Sequence, residues 1–217
     1  MSYTGKTHVG GPAQVHELTR LTISKLAVGP MDNNCYLLRC RETGEQLLID
    51  AAAEPERILD LIGPDGLTTI VTTHAHPDHW VALAEVRKQT GATSVAHEAD
   101  AEHLAELVNR TVVDGDTITV GQVALRVIHL VGHTPGSIAL LYDDPMGQPH
   151  LFTGDCLFPG GVGKTWSPED FDTLLAGVKE RIFDSLPDET WVYPGHGNDT
   201  TVGTERPSLT EWEARRW

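Results

Sequence analysis

Thr73-His74-Ala75-His76-Pro77-Asp78-His79 is the stretch on which the fold and chemistry of this chain turn. Three imidazoles and a carboxylate, all able to hold a metal, crowd into it. Residues 67–73, with Leu67, Ile70 and Val71 among β-branched threonines, are expected as a strand leading into it, and behind it Ala82, Leu83 and Val86 keep helical spacing up to Gly91. On extended backbone, residues two apart face the same side, so His74 and His76 are expected to grip one ion together. Pro77 then forces a bend, and Asp78 and His79 are expected to open the helix facing the other way. A joint between strand and helix suits a site at the carboxyl edge of a sheet.

Taken singly, an aspartate in that place is an ordinary helix cap and a histidine a hydrogen-bonded surface residue. Three further motifs change the balance: Gly132-His133-Thr134-Pro135-Gly136-Ser137, Phe152-Thr153-Gly154-Asp155 and Pro194-Gly195-His196-Gly197. Each sets an acid or a histidine beside glycine at an expected strand end, where glycine lets the backbone turn tightly and come close to a metal.

The remaining pattern supplies the frame. Strands are expected at 21–26, 35–38 and 46–50, a helix at 55–62 ending on Gly63-Pro64, a strand at 93–96 and a helix at 99–108. Further strands are expected at 117–120, 123–130, 137–142, 150–153 and 191–193, with a helix over 168–183. Two blocks of strands with helices between and after them point to an α/β protein with two sheets packed face to face and helices outside. Residues 1–217 are expected to form a single domain, with 1–19 as a leader or edge strand and 197–217 as a C-terminal tail.

Composition narrows the function. The 217 residues are 40% hydrophobic and 22% charged, which suits one globular core, and the net charge of -15 argues against nucleic acid or an anionic membrane as partner. Two divalent cations would offset part of that charge. Cys35, Cys40 and Cys156 form no disulfide framework, and neither an apolar leader nor a stretch of membrane-span length is visible, so a cytoplasmic location is expected. The sequons at Asn109 and Asn198 then carry no weight. Gly163-Lys164-Thr165 looks like the end of a phosphate-binding loop, but Phe158 stands where that loop needs glycine. Cys156 reads as an inert buried thiol, His129 as a packed strand histidine, and Trp212 and Trp217 as packing anchors.

Asp50, the run from His74 to His79, His133, Asp155 and His196 together match the five motifs of the metallo-β-lactamase superfamily, which this chain resembles from about Leu21 to His196. The resemblance implies a four-layer αββα sandwich. It also implies that His74, His76 and His133 hold one metal, that Asp78, His79 and His196 hold the other, that Asp155 bridges them, and that Asp50 supports them from behind. Imidazole with carboxylate suits two divalent ions, zinc above all, with iron or manganese as alternatives. Such a pair turns a shared water into hydroxide by lowering its pKa from about 15.7 to about 7, and Asp78 is the expected catalytic residue that orients it.

Within the superfamily, Leu151-Phe152-Thr153-Gly154-Asp155-Cys156-Leu157-Phe158, followed by Gly160-Gly161-Val162-Gly163-Lys164, resembles glyoxalase II, the hydroxyacylglutathione hydrolase. In that family the lysine contacts the glutathione carboxylate, so Lys164 and Trp166 are expected to bind substrate; a solvated loop lysine is the plain alternative. A small-molecule thioester or ester is the expected substrate, because a thiol leaving group with a pKa of about 8.5 needs little assistance. Glyoxalase II proper carries a C-terminal helical domain with further cationic contacts, whereas the tail here offers Arg206, Arg215 and Arg216. A persulfide dioxygenase with a single iron, a lactonase, and a metal-stabilised binding module without turnover are the alternatives, and a homo-oligomer is left open.

Overall fold

Residues 3–216 are described by the structure, a computed structural model; Trp217 lies outside them. Seven strands make the first sheet, in chain order: β1 (Gln14–Glu17), β2 (Leu21–Val28), β3 (Asn33–Cys40), β4 (Gln46–Ile49), β5 (Thr69–Val71), β6 (Thr93–His97) and β7 (Arg110–Val112). The pairing is antiparallel through β4 and parallel from β4 to β7. The second sheet is built from β8 (Thr117–Val120), β9 (Val123–His129), β10 (Ile138–Tyr142), β11 (His150–Gly154), β14 (Trp191–Pro194) and β15 (Thr200–Thr201). A small hairpin, β12 (Leu157–Phe158) with β13 (Gly161–Val162), leaves the end of β11.

Three apolar layers hold these parts together. The inner faces of both sheets meet through Leu38, Ile49, Val71, Val127, Leu140 and Phe152, among others. On its outer face the first sheet is covered by α1 (Pro55–Ile62) and α2 (Leu83–Thr90), through Ile58, Ile62, Leu83 and Val86. On the far side α4 (Pro168–Val178) and α6 (Leu209–Arg215) cover the second sheet with Phe171, Leu174 and Trp212, joined by Val202 of the short α5 (Val202–Glu205); the short α3 (Glu98–Ala101) follows β6 of the first sheet. The result is the expected four-layer αββα sandwich. Strands such as β4 and β11 are buried at every position because both of their faces are covered, while β8 alternates exposed and buried residues.

Some local expectations give way to tertiary contacts. The helix expected over 99–108 breaks after Ala101 into a looser 3₁₀ turn, Glu102–Leu107. Asp100 explains it: its buried carboxylate leaves the helix surface and accepts from Ala75 N, Thr134 Oγ1 and Gly136 N. The helix after the histidine run begins at Leu83, because Pro77–His79 is a separate 3₁₀ turn. The helix over 168–183 is α-helical to Val178 and closes as a π turn, Lys179–Phe183. The β12–β13 hairpin, β7 and α6 were not expected from the pattern.

Candidate metal centre

Every side chain of interest sits at one end of the sandwich, just beyond the strands. β4 ends at Ile49, and Asp50 follows with φ 57°, a left-handed conformation that aspartate tolerates better than most residues. Its carboxylate accepts from Thr73 N (2.8 Å) and Thr73 Oγ1 (2.8 Å) and faces His79 Nδ1 at 2.8 Å. β5 ends at Val71, so His74 and His76 meet through a bend and not through strand alternation. That bend is held by Asp100 at Ala75 N and by Trp80 Nε1 donating to Ala75 O. His133 projects from the β9–β10 connection, Asp155 follows β11, and His196 follows β14.

Three groups of donor atoms converge: His74, His76 and His133; His74, His79 and Asp155; and Asp78, His79 and His196. Within each group the atoms lie inside 4.8 Å of one another. His74 Nε2 is 3.1 Å from His76 Nδ1 and 3.2 Å from His133 Nε2, and His79 Nε2 is 3.1 Å from His196 Nε2. Asp155 spans the groups, Oδ1 lying 3.3 Å from His79 Nε2, and Oδ2 3.5 Å from His133 Nε2 and 3.4 Å from His196 Nε2. All seven donors expected from the sequence therefore stand together.

The opposite ring nitrogens decide what these atoms can do. His133 Nδ1–H donates to Lys164 O at 2.7 Å, and His196 Nδ1–H donates to Met31 O at 2.9 Å. His79 Nδ1–H faces Asp50, while His74 Nδ1 meets Thr73 Oγ1 (3.1 Å), which passes its own hydrogen to Asp50. A carbonyl or an already-donating hydroxyl only accepts, so each Nε2 turns a bare lone pair inward. Lone pairs about 3 Å apart repel unless a proton or a cation lies between them. Asp155 Oδ1, buried and without a hydrogen-bond partner, adds to the same demand. The donor set fits divalent cations.

Electrostatics agrees. Burial pushes His74 well below the usual imidazole range, with His79 adding to it, and burial also lowers His76 and His133. Burial alone would raise Asp155, but the neighbouring His79 and His196 hold it well below the ordinary carboxylate range. Burial opposes charge on His79 too, yet Asp155 and Asp50 push it up to about 10; His196 is raised against burial by Asp155. Neutral imidazoles beside an ionised carboxylate are the forms that bind metal, and the protons favoured on His79 and His196 stand where a cation would.

Close packing explains two of the glycines. A Cβ on Gly195 would meet Asp155 Oδ1 at 2.2 Å and His79 Cε1 at 2.7 Å, and one on Gly163 would meet Asp155 O at 1.7 Å. The loop rejected as a phosphate binder thus serves to wrap Asp155. Lys164 turns its carbonyl to His133 and sets its ammonium 4.4 Å from the centre of the Trp166 ring. Trp166, 68% exposed, lies 6.4 Å from the His76 ring and borders a cavity of about 240 Å³ with Ala75, His103, Pro135 and the two ligand-set histidines His76 and His133.

Several participants escaped the sequence reading. Asn33 Nδ2 donates to Asp78 Oδ2 at 2.9 Å, and Asn34 Nδ2 donates to Pro194 O and Gly197 O. Lys25, fully buried, donates to Gly5 O, Gly197 O and Asp199 Oδ1 at 2.6–2.8 Å. The tail arginines are engaged elsewhere than at the donor set: Arg206 pairs with Asp188, Arg216 with Asp172, and Arg215 donates to Gly160 O in the β12–β13 hairpin. Trp212 is a buried anchor, and His129 stacks on His97 at 3.8 Å. Among the described residues no helix is long and apolar enough to cross a membrane.

Comparison with known proteins gives concordant results. The family model for the metallo-beta-lactamase superfamily matches residues 28–196. A hydroxyacylglutathione hydrolase of Polaromonas sp. is 40% identical over 164 residues, covering 74% of this chain and 60% of that enzyme. The crystal structure of ETHE1 from Myxococcus xanthus superposes with a TM-score of 0.74 at 31% identity, over 85% of this chain and 81% of that one. The crystal structure of TTHA1623 in a di-iron-bound form superposes at 0.70 and 32% identity, over 84% of this chain and 96% of that one.

Proposed function

This chain belongs to the metallo-β-lactamase superfamily, and from that premise we propose that it is a dinuclear metal-dependent hydrolase of small-molecule thioesters, similar in action to glyoxalase II. The observation that carries the proposal is the convergence of seven donors, four of whose imidazoles, His74, His79, His133 and His196, have their outer ring nitrogens already committed to hydrogen bonds. In this reading His74, His76 and His133 hold one ion, Asp78, His79 and His196 the other, and Asp155 both. Zinc suits the mixture of imidazole and carboxylate best, with iron or manganese as the alternatives. When bound, such ions polarise a carbonyl and acidify a water near neutral pH.

The chain's own groups supply the rest. Asp78 has about a quarter of its side chain exposed, at 27%, and so can accept a hydrogen bond from the attacking water and orient it. The cavity beside His76 and His133 receives the acyl group, with Pro135 and Trp166 as its apolar walls. The Lys164 ammonium above Trp166 offers a cation to an acidic thiol carrier. No acid is needed for departure, because a thiol with a pKa of about 8.5 leaves readily as its thiolate. The three cysteines are free and buried, which fits the reducing interior of a cell.

Metal analysis of the purified protein, run beside a panel of thioesters and lactones, tests the reading. Two ions per chain with thioester turnover are expected, and Asp155→Ala is expected to cost at least about 100-fold in activity together with bound metal. A single iron with oxygen uptake, or full metal occupancy without turnover on any ester, would sink it.

A further inference from the structure

Asp78 lies in a 3₁₀ turn at the mouth of the centre, and among the described residues one neighbour from outside the donor set holds its carboxylate. The nitrogens of His79 and His196 near its Oδ2, at 3.6 and 3.4 Å, belong to the set itself. Asn33 does not: its buried amide donates to the same oxygen at 2.9 Å from the first residue of β3. We propose that Asn33 is a positioning residue, holding the Asp78 carboxylate in the orientation that completes the group with His79 and His196; this rests on the metal-hydrolase reading above.

The place of Asn33 in the fold makes it a rigid support. Its backbone forms an isolated bridge with His196, and the next residue ties Asn34 N to Gly195 O at 2.7 Å. The Asn34 amide adds bonds to Pro194 O and Gly197 O, so the start of β3 fixes the loop of His196 and the side chain of Asp78 together. The two donors are brought from residues far apart in sequence and share one scaffold.

Residue chemistry narrows the choice further. An amide donates a hydrogen bond without bringing charge, so the full negative charge of Asp78 stays available to a cation. A lysine at the same point would neutralise that charge, and an aspartate would repel it. Hydrogen-bond partners that orient ligands commonly change metal affinity by about 10–100-fold when removed.

The test compares the wild type, Asn33→Ala, Asp78→Asn and the double variant in zinc titrations against a chelating competitor, in steady-state thioester hydrolysis and in thermal melts of the metal-free proteins. Asn33→Ala is expected to weaken the looser of two zinc equilibria by about 10–100-fold and to lower kcat with KM nearly unchanged. It should move the metal-free melt little, and it should add nothing in the Asp78→Asn background. If alanine disturbs the strand, Asn33→Leu, of similar volume but without a donor, must reproduce the loss of zinc affinity. Zinc held by either variant as tightly as by wild type, or an equal further loss on top of Asp78→Asn, overturns the proposal. A wild type that binds two ions but cleaves no thioester refutes the substrate reading and leaves the titration to decide on Asn33. A wild type with one zinc equilibrium that Asn33→Ala does not move overturns the role of Asn33.

Discussion

Asp50 reaches the backbone of Thr73, the hydroxyl of Thr73 and the ring of His79 at once, and through that hydroxyl it also fixes the tautomer of His74. Asp50→Asn keeps the shape but sets an NH₂ group against donors. Zinc affinity is expected to fall by about 10–100-fold, measured by competition with a chelator; unchanged affinity would mean that the two rings are oriented by packing alone. At this scale the seven donors are legible in the sequence because few residue types bind divalent ions and glycine marks their loops. Asn33, Thr73 and Asp100 are not. Amides, hydroxyls and single carboxylates occur throughout a chain, and their partners here are distant in sequence: Asn33 meets Asp78 across 45 positions and Asp100 meets Thr134 across 34.

Elements with strong apolar patterns were legible to within a few residues, whereas those defined by tertiary contacts were not. β12 and β13 are two residues each around Pro159-Gly160, and β7 buries one residue of three, so neither carries a period to read. α6 offers only Leu209 and Trp212 as apolar contacts among charged residues. Lys25 shows how an element can be tied in place by something its pattern hides. It interrupts the apolar run of β2, is wholly buried, and joins the N-terminal segment at Gly5 to the segment after His196 at Gly197 and Asp199. Asp199 also accepts from Tyr3 Oη and Trp191 Nε1, at 2.6 and 2.9 Å. Lys25→Met leaves that carboxylate buried without its cation, so a loss of about 3–5 kcal/mol is expected in urea unfolding. A loss under 1 kcal/mol would show that Tyr3 and Trp191 suffice to hold it.

Across the whole molecule, the layer between the sheets contains a titrating group remote from the metal centre. His150 is buried there with Nδ1 2.9 Å from Tyr193 Oη, and burial, helped by neighbouring His16, lowers its pKa to about 4. In an unfolded chain a histidine titrates near 6.5. Between those values the unfolded state takes up a proton that the native state refuses. This contribution to stability is therefore full above about pH 6.5 and is lost as pH falls toward 4, by on the order of 3 kcal/mol. From pH 7.5 to 4 the unfolding free energy of the wild type should fall by that amount relative to that of His150→Gln; a constant difference would refute the assignment. The donor atoms have a different reach. Asp50 and the run from His74 to His79 come from the first sheet, while His133, Asp155 and His196 come from the second. Any cation they share would act as a rivet through the seam between the two layers, beside the apolar contact and the polar ties of Lys25, Asn34 and Asp100 that already cross it. Scarcity of the ion would then shorten the lifetime of the fold as well as slow its chemistry, because the seam would begin to part where the facing lone pairs have nothing left to share.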